Sequence, residues 1–512
     1  MRIGIDVGGT NTDAVLMDGR DVVTWSKRPT TGNVIDGITA ALRHVLDHPD
    51  VSPRDIDAVM IGTTHFTNAV VQRRGLDRTA VIRLGLPATQ SIPPLTDWPD
   101  ELRRAIGGQA LMLHGGYQYD GRVITPLDPQ EIRSAARRLA AEDVASVAIV
   151  SVFSPVSPDH EVAAAEILAG ELPNAAITLS HQIGRLGLLE RENAAALNAC
   201  LASLARQTIG AYGRALEELG IVAPLYLSQN DGTLMTAAFA ARYPVLTFAS
   251  GPTNSMRGAA VLSGGADAIV LDIGGTTTDG GALVRGFPRE ASFEVQVGGV
   301  RTNFRMPDVA SVGLGGGSIV EYGGQVVGPV SVGYRITDEA LVFGGRTVTA
   351  TDVAVAAGRA QIGRLALAMD LPADLVDRAL RVIDERVAAL VDSLKTSPSP
   401  APVIVVGGGN VLVGDSIEGA SEVIRPAHAA VANAIGAAIA QVSGEIDRIF
   451  SMEGRTREGV LEAARAEAVA LAGEAGADPA TVEIVEVDEI PLAYLPSNAL
   501  RVRMKSVGEL KG

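Results

Sequence analysis

Asp6-Val7-Gly8-Gly9-Thr10-Asn11-Thr12-Asp13 returns 266 positions later as Asp272-Ile273-Gly274-Gly275-Thr276-Thr277-Thr278-Asp279, with six of the eight residues identical. Each copy follows a short apolar run, Ile3-Gly4-Ile5 in the first and Ile269-Val270-Leu271 in the second, so each leading Asp is expected at the end of a buried strand. Each Gly-Gly-Thr then makes a tight turn. Paired glycines let the backbone approach an oxyanion and turn successive N–H groups toward it, and the hydroxyls of Thr10, Thr12, Thr276 and Thr277 add neutral donors. A carboxylate repels phosphate directly, but it can hold a hydrated Mg²⁺ that bridges to phosphate. Asp6 and Asp272 are the candidates for that metal role. A lone Gly-Gly-Thr after a strand is commonly only a β-turn. Two near-identical copies on matching strands favour a divided phosphate site.

At 512 residues the chain exceeds one ordinary core, and two large lobes are expected. Hydrophobic residues make up 47% and charged residues 20%, a globular composition that excludes a disordered chain. The net charge of −16 argues against nucleic acid or an anionic membrane as partner, because both need a basic face. Cys200 is the single cysteine, which rules out an intrachain disulfide and fits a reducing cytoplasm; with Leu197, Leu201 and Leu204 at helical spacing it reads as a core thiol. Met1-Arg2-Ile3-Gly4-Ile5 runs directly into the first strand, so no signal peptide is expected, and no apolar run approaches the roughly 20 residues of a spanning helix.

Further along, Ala14 to Met17 reads as a strand closed by an Asp18-Gly19 turn, and helical spacing covers about Val34 to Leu46. Ala58 to Ile61 is a third strand, opening into Gly62-Thr63-Thr64-His65, with a helix expected from near Asn68. The prolines between Leu84 and Trp98 predict a loop, Pro129 to Ala141 a helix, and Val144 to Val152 a strand. A long helix is expected from Leu186 to Leu219, with the lobe boundary just before it. The glycines of Gly313-Leu314-Gly315-Gly316-Gly317-Ser318 imply close backbone approach, ligand contact or reverse turns. Helical sequence resumes over Thr351 to Leu394, broken near Pro372. A stiff Thr396 to Pro402 linker then leads to the strand Val403 to Val406, to Gly407-Gly408-Gly409-Asn410, and to an alanine-rich helix from about Ala427 to Val442. Short strands with a Pro496-Ser497-Asn498 turn are expected in the tail. The division predicted is 1–184 for a first lobe, 185–480 for a second and 481–512 for a tail.

Two Asp-x-Gly-Gly-Thr hairpins can clasp a polyphosphate from opposite lobes, while Gly407 to Gly409, followed by Asn410, admit a flat adenine. This order of motifs resembles the superfamily of actin, sugar kinases and Hsp70, which implies an α/β, two-lobed actin-like ATPase (ribonuclease H-like) fold, a duplicated domain with mixed sheets and flanking helices closing on ATP and Mg²⁺. Within it, Gly8 to Asp13, Gly62-Thr63-Thr64 with Thr67-Asn68-Ala69, Ser250-Gly251-Pro252, Asp272 to Asp279 and Gly315 to Ser318 resemble the hydantoinase/oxoprolinase family, over about residues 1 to 440. The resemblance implies ATP-dependent opening of a cyclic amide such as a hydantoin, 5-oxoproline or another lactam, often with a second, hydantoinase B-type subunit, and an oligomer. It places the nucleotide against Gly8, Gly9, Thr10, Asn11, Thr12, Gly274, Gly275, Thr276 and Thr277, and points to Thr63, Thr64, Asn230, Asp231, Ser250 and Gly251 as substrate or interlobe contacts.

A lactam is a resonance-stabilised, poor electrophile, and phosphorylating its carbonyl oxygen makes it open to water. Asp6 and Asp272 would organise that charge. Asp13 and Asp279 can orient water or hold the metal's own waters, or serve only as hairpin residues bonded to local N–H groups. Where longer family members carry a His before the glycine-rich loop, this chain has Asp308-Val309-Ala310, and their later cysteine stretch is missing, so it resembles a short subclass. His44 and His48 have a zinc-compatible spacing without a third ligand, and no Gly-x-Ser-x-Gly elbow is present. Glu190-Arg191-Glu192 is either a solvated helix face or a cleft element. A small-molecule kinase and a nucleotide-driven regulator or reactivase are the alternative functions.

Overall fold

The computed structural model describes residues 1–8, 11–29, 34–183, 186–291, 295–304, 306–492 and 499–511. Ile3, Ile5 and Val7 are buried in the first strand, Arg2–Val7, which pairs antiparallel with Asn11–Asp18 so that Asp6 faces Asp13. On its other side lies the parallel strand Ala58–Thr63, with Asp6 opposite Gly62. The second motif repeats the plan: Ala268–Ile273 pairs antiparallel with Thr278–Val284, Asp272 faces Asp279, and the parallel neighbour Ala401–Val406 brings Val406 beside Asp272. A parallel strand with a glycine at or just past its end therefore flanks each aspartate.

The first hairpin belongs to a nine-stranded sheet in which Asp21–Pro29 forms one edge, and Leu225–Ser228, Leu234–Thr236, Val442–Phe450, Ala499–Gly508 and Glu483–Leu492 extend the other side. Strands from 1–184, 185–480 and 481–512 share this sheet, two of them from the 481–512 tail. The second hairpin lies in a six-stranded sheet with Phe287–Pro288, Val309–Val312 and Ala420–Ile424. A third sheet, all parallel, joins Gln109–His114, Thr79–Leu86, Ser146–Ser151 and Ala176–Leu179.

Two helices connect the aspartate sheets. Ser250–Leu262 packs Met256, Ala259 and Ala260 on Val270, Leu283 and Val406, while Ala432–Ala438 packs Ala434, Ile435 and Ala438 on Val15 and Met17. The helices cross through glycine. A Cβ at Gly258 would lie 1.8 Å from the Ala432 carbonyl oxygen, and one at Gly436 1.9 Å from that of Asn254, so neither position admits a side chain without separating the pair.

Several elements differ from expectation for local reasons. The long helix is two, Leu188–Cys200 and Ala202–Glu218, broken at Leu201. The Thr351 to Leu394 region contains Ala350–Ala356, Leu365–Met369 and, starting just past Pro372, Ala373–Leu394, whose Val376, Ala379, Ile383, Val387, Leu390 and Leu394 bury one face. The expected helix of about Ala427 to Val442 contracts to Ala432–Ala438, because Val442 already opens a strand. The expected 396–402 linker gives way to a strand at Ala401, and the Leu84 to Trp98 loop begins inside the strand Thr79–Leu86. The Pro496-Ser497-Asn498 turn lies outside the described residues.

Candidate active site

The two hairpins close alike. Gly8 N–H donates to the Asn11 carbonyl at 3.0 Å and Gly274 N–H to that of Thr277 at 2.9 Å. Gly9 and Thr10 lie outside the described residues. The second turn is gripped from behind: Gly316 N–H donates to the Gly274 carbonyl at 3.0 Å and Gly317 N–H to that of Gly275 at 2.7 Å. A Cβ on Gly315 would lie 2.5 Å from the Thr276 nitrogen, so the density of glycine in this loop reflects backbone stacked on backbone. Ser318 caps that loop, its hydroxyl accepting from Gly315 N–H at 2.9 Å. Thr276 is partly exposed and Thr277 exposed, so the turn presents its hydroxyl side to an incoming group, whereas Thr12 is buried.

Four carboxylates gather behind the turns. Asp6 Oδ2 accepts from Asn433 Nδ2 at 2.8 Å, and Asp13 Oδ2 accepts from Lys27 Nζ at 2.6 Å. The Oδ1 atoms of Asp6 and Asp13 are buried with no hydrogen-bond partner among the described residues. Asp272 Oδ2 accepts from Ser255 Oγ at 2.5 Å, and Asp279 from the Ser311 hydroxyl of the adjoining strand. Burial, with Asp13 and Asp272 nearby, pushes the Asp6 carboxyl up to about 7. Burial and Asp272 push Asp279 up to about 6 despite the Ser311 bond. Asp13 and Asp272 are also raised by burial, against the pull of Lys27.

Such a group of desolvated acids is relieved by a cation. Mg²⁺ retains several waters and needs only one or two carboxylates, and the orphaned oxygen of Asp6 offers it a first ligand. Among the described residues no three His, Cys, Asp or Glu side chains form an all-protein ligand set.

The glycine strand ends frame these acids. A Cβ on Gly62 would lie 2.8 Å from Asp6 Oδ1, one on Gly407 2.3 Å from Asp272 Oδ1, and one on Gly408 3.3 Å from Lys27 Cε. Gly409 N–H donates to the Ile273 carbonyl at 2.7 Å, and Asn410 Nδ2 to that of Gly407 at 2.8 Å. The triple glycine therefore borders the Asp272 carboxylate and the Lys27 side chain that holds Asp13. Thr63 Oγ1 accepts from His65 N–H at 3.1 Å, Ser250 Oγ donates to the Thr63 carbonyl at 3.3 Å, and Thr64 Oγ1 donates to that of Val7 at 3.3 Å. A Cβ on Gly251 would be 3.5 Å from Thr64 and 4.0 Å from Asp6 Oδ1. These four residues adjoin the first carboxylate.

Asn230 and Asp231 stand elsewhere, in the wall of a cavity of about 720 Å³. Asp231 accepts from Thr233 N–H at 3.0 Å and its hydroxyl at 2.6 Å, and pairs with Lys505 at 2.7 Å. Burial alone would raise its carboxyl, but Lys505 and Thr233 override it and hold it at about 2. Asp308 pairs with Arg289 at 2.8 Å, His44 bonds Arg28, and burial pushes the Cys200 thiol up. Arg191 and Glu192 are buried, Glu192 paired with Arg83 at 2.7 Å, so that segment is no solvated face.

Lys27, Asn433 and Ser255 were not singled out in the sequence. Lys27 carries a signal in hindsight, since it faces Asp13 in the strand register. Asn433 is the one strongly polar side chain in an alanine and glycine helix.

Residues 2–172 match the hydantoinase/oxoprolinase N-terminal region, and 191–394 match the hydantoinase/oxoprolinase family proper. The chain belongs to this family. It is 29% identical over 394 residues to a caprolactamase subunit alpha of Pseudomonas jessenii, covering 71% of this chain and 55% of that protein. It is likewise 29% identical over 398 residues to an acetophenone carboxylase gamma subunit of Aromatoleum aromaticum, covering 70% and 53%. The chain spans about half the length of these curated relatives. A solved structure of the ATP-dependent caprolactamase from Pseudomonas jessenii matches with a TM-score of 0.78 at 21% identity, over 100% of this chain and 88% of that one, and shares its fold. The fold is that of the actin-like ATPases, as the duplicated hairpins lead one to expect. No helix among the described residues is long and apolar enough to cross a membrane.

Proposed function

We propose that this chain uses Mg-ATP to phosphorylate the carbonyl oxygen of a cyclic amide and so opens the ring by hydrolysis. The observation that carries this reading is the convergence of Asp6 and Asp272, each at the end of an equivalent strand, in a group of four carboxylates, buried at Asp6 and Asp13 and partly buried at Asp272 and Asp279, bordered by glycine backbone. Kinship with a caprolactamase subunit alpha supports the cyclic amide.

In this account Asp6 and Asp272 would hold Mg²⁺, which would supply charge neutralisation for the transferring phosphoryl group. Gly8, Gly9, Thr10 and Asn11 take phosphate oxygens from one side and Gly274, Gly275, Thr276 and Thr277 from the other, whereas Thr12, sequence-matched to Thr278, is fully buried behind the hairpin and supports it. Gly407, Gly408, Gly409 and Asn410 lie along the nucleotide. Lys27 donates to Asp13 and Ser311 to Asp279, fixing both side chains where they can orient the metal's waters. Thr63, Thr64, Ser250 and Gly251 line the substrate side of Asp6. A second, hydantoinase B-type subunit completes the enzyme, in keeping with relatives named as subunits. The cytoplasm is its proposed compartment.

The test is incubation of the chain with Mg-ATP and a panel of hydantoins, 5-oxoproline and unsubstituted lactams, with and without a co-encoded B-type subunit. ADP, free phosphate and ring-opened acid should appear together. Phosphate retained on the organic product would indicate a kinase instead, and ATP turnover indifferent to every ring would indicate a regulator.

A further inference from the structure

The cavity beside Asn230 carries chemistry that the phosphate site does not use. His181 lines it, and His181 Nδ1 lies 2.7 Å from Oε2 of the fully buried Glu161. The carboxylate is itself fixed: its Oε1 accepts from Ser151 N–H at 2.8 Å and from Ser180 Oγ at 2.5 Å. Arg191, also buried, donates to Ser180 Oγ at 3.0 Å. A carboxylate that accepts the Nδ1 proton sets the tautomer, leaving Nε2 as the lone-pair nitrogen that meets a ligand.

A second group in the same wall lacks a partner. Both polar atoms of the Asn303 carboxamide are buried without a hydrogen bond to any of the described residues. A carboxamide presents N–H and C=O side by side, and a small-ring amide, held cis, presents the complementary C=O and N–H. Orphaned buried polar atoms of this kind are costly unless a ligand satisfies them.

The charges around the cavity select further. Arg448 is held by Glu467 at 2.9 Å, Arg501 by Asp447 at 2.7 Å and Lys505 by Asp231 at 2.7 Å. Arg242 bonds Gln182 at 3.1 Å and stacks on Tyr243. Five acids in the lining, Asp231, Glu445, Asp447, Glu467 and Glu474, outnumber its two arginines, Arg242 and Arg448, so the wall disfavours a ligand carboxylate.

A short chain of contacts links the cavity to the first carboxylate. Ser228 Oγ accepts from Asn254 Nδ2 at 3.1 Å, and that same amide nitrogen would be 2.3 Å from a Cβ on Gly62, the register partner of Asp6. Two residues later Asn230 is in the cavity wall, a span of at most about 7 Å.

We infer that this cavity binds an uncharged cyclic amide through Asn303 and that His181, oriented by Glu161, carries protons in the attack of water on the activated ring. The inference rests on the hydrolase reading above. In the balanced step, water oxygen bonds to the ring carbon of the O-phosphorylated amide and its first proton passes through His181 Nε2 to the ring nitrogen. The carbon–nitrogen bond then breaks as the second proton follows. An amino acyl phosphate results, and a second water splits it into carboxylate and phosphate. His181 is the catalytic residue here, and Glu161 and Asn303 are positioning residues.

The experiment uses 2-pyrrolidinone and 5-oxoproline, the same five-membered ring without and with a carboxylate. In the first arm, without ATP, the imidazole NMR signals of His181, assigned with His181→Gln, are followed as each compound is added. Saturable shifts with 2-pyrrolidinone, at least tenfold weaker with 5-oxoproline and with Asn303→Ala, are expected. In the second arm His181→Gln should lower ATP-dependent ring opening at least 50-fold, with ATP affinity within twofold and partial recovery on adding imidazole. Shifts without ring opening by the wild-type chain and its B-type subunit would overturn the hydrolase reading but keep the cavity. Unmoved His181 signals, or full ring opening by His181→Gln, would overturn this inference.

Discussion

Lys27 Nζ lies 2.6 Å from Asp13 Oδ2 and also donates to the Ala430 carbonyl at 3.0 Å, so one side chain ties the first hairpin to the chain just before the alanine-rich helix. Lys27 lowers the carboxyls of Asp6, Asp13 and Asp272 alike. Its removal raises all three. Lys27→Met is expected to reduce turnover at least tenfold and to move the acidic limb of the pH–rate profile to higher pH. An unchanged profile would detach Lys27 from the site.

The same burial makes the nucleotide-free protein sensitive to pH. Asp6 has a folded carboxyl near 7 against an ordinary value of 3.8, so its ionisation destabilises the fold increasingly as pH rises from about 4 to 7. Asp6→Asn removes that cost. The variant should melt higher than wild type at pH 8 without nucleotide, and the difference should shrink at pH 4, as measured by calorimetry.

Asp231 has the opposite sign. Held at about 2 by Lys505 and Thr233, its stabilisation is complete above the ordinary carboxylate value and is lost as pH falls through 2. Lowering the carboxyl from the ordinary 3.8 to about 2 corresponds to roughly 2 kcal/mol. Asp231→Asn should unfold at lower urea concentration at pH 7, and Lys505→Met should do so as well. Their double variant should cost less than the sum, because the residues form one pair.

Glycine at the helix crossing is testable separately from catalysis. Gly258→Ala places a methyl group where the Ala432 carbonyl oxygen stands 1.8 Å away. Overpacking of this kind costs roughly 1–3 kcal/mol, read as a lower urea midpoint. Gly210→Ala, in the exposed part of Ala202–Glu218 with only an arginine end nearby, should instead stabilise slightly.

The hairpins were legible because both aspartates, their glycines and their strands are local in sequence. Lys27 and Asn433 were not, since their contacts join residues 403 and 427 positions apart. The helix Arg457–Ala475 escaped because its buried face is Val460, Ala464, Ala468, Ala472 and Ala475, nearly all alanine, which gives little apolar contrast. The Leu201 break escaped because apolar residues continue through it, Cys200, Leu201 and Ala202 all being buried. The strands Glu483–Leu492 and Ala499–Gly508 were visible as strands, but their place beside Val442–Phe450 depends on pairing that no local pattern encodes.

The central claim is that the two motif aspartates couple ATP cleavage to ring opening. The decisive measurement is the ratio of phosphate released to ring opened, with Mg-ATP and the best cyclic amide, for wild type, Asp6→Asn and Asp272→Asn in the presence of the B-type subunit. The account predicts a fixed ratio in wild type and a fall of about a hundredfold or more in both products for either variant. ATP turnover independent of the ring, or near-normal coupled turnover in either variant, would contradict it.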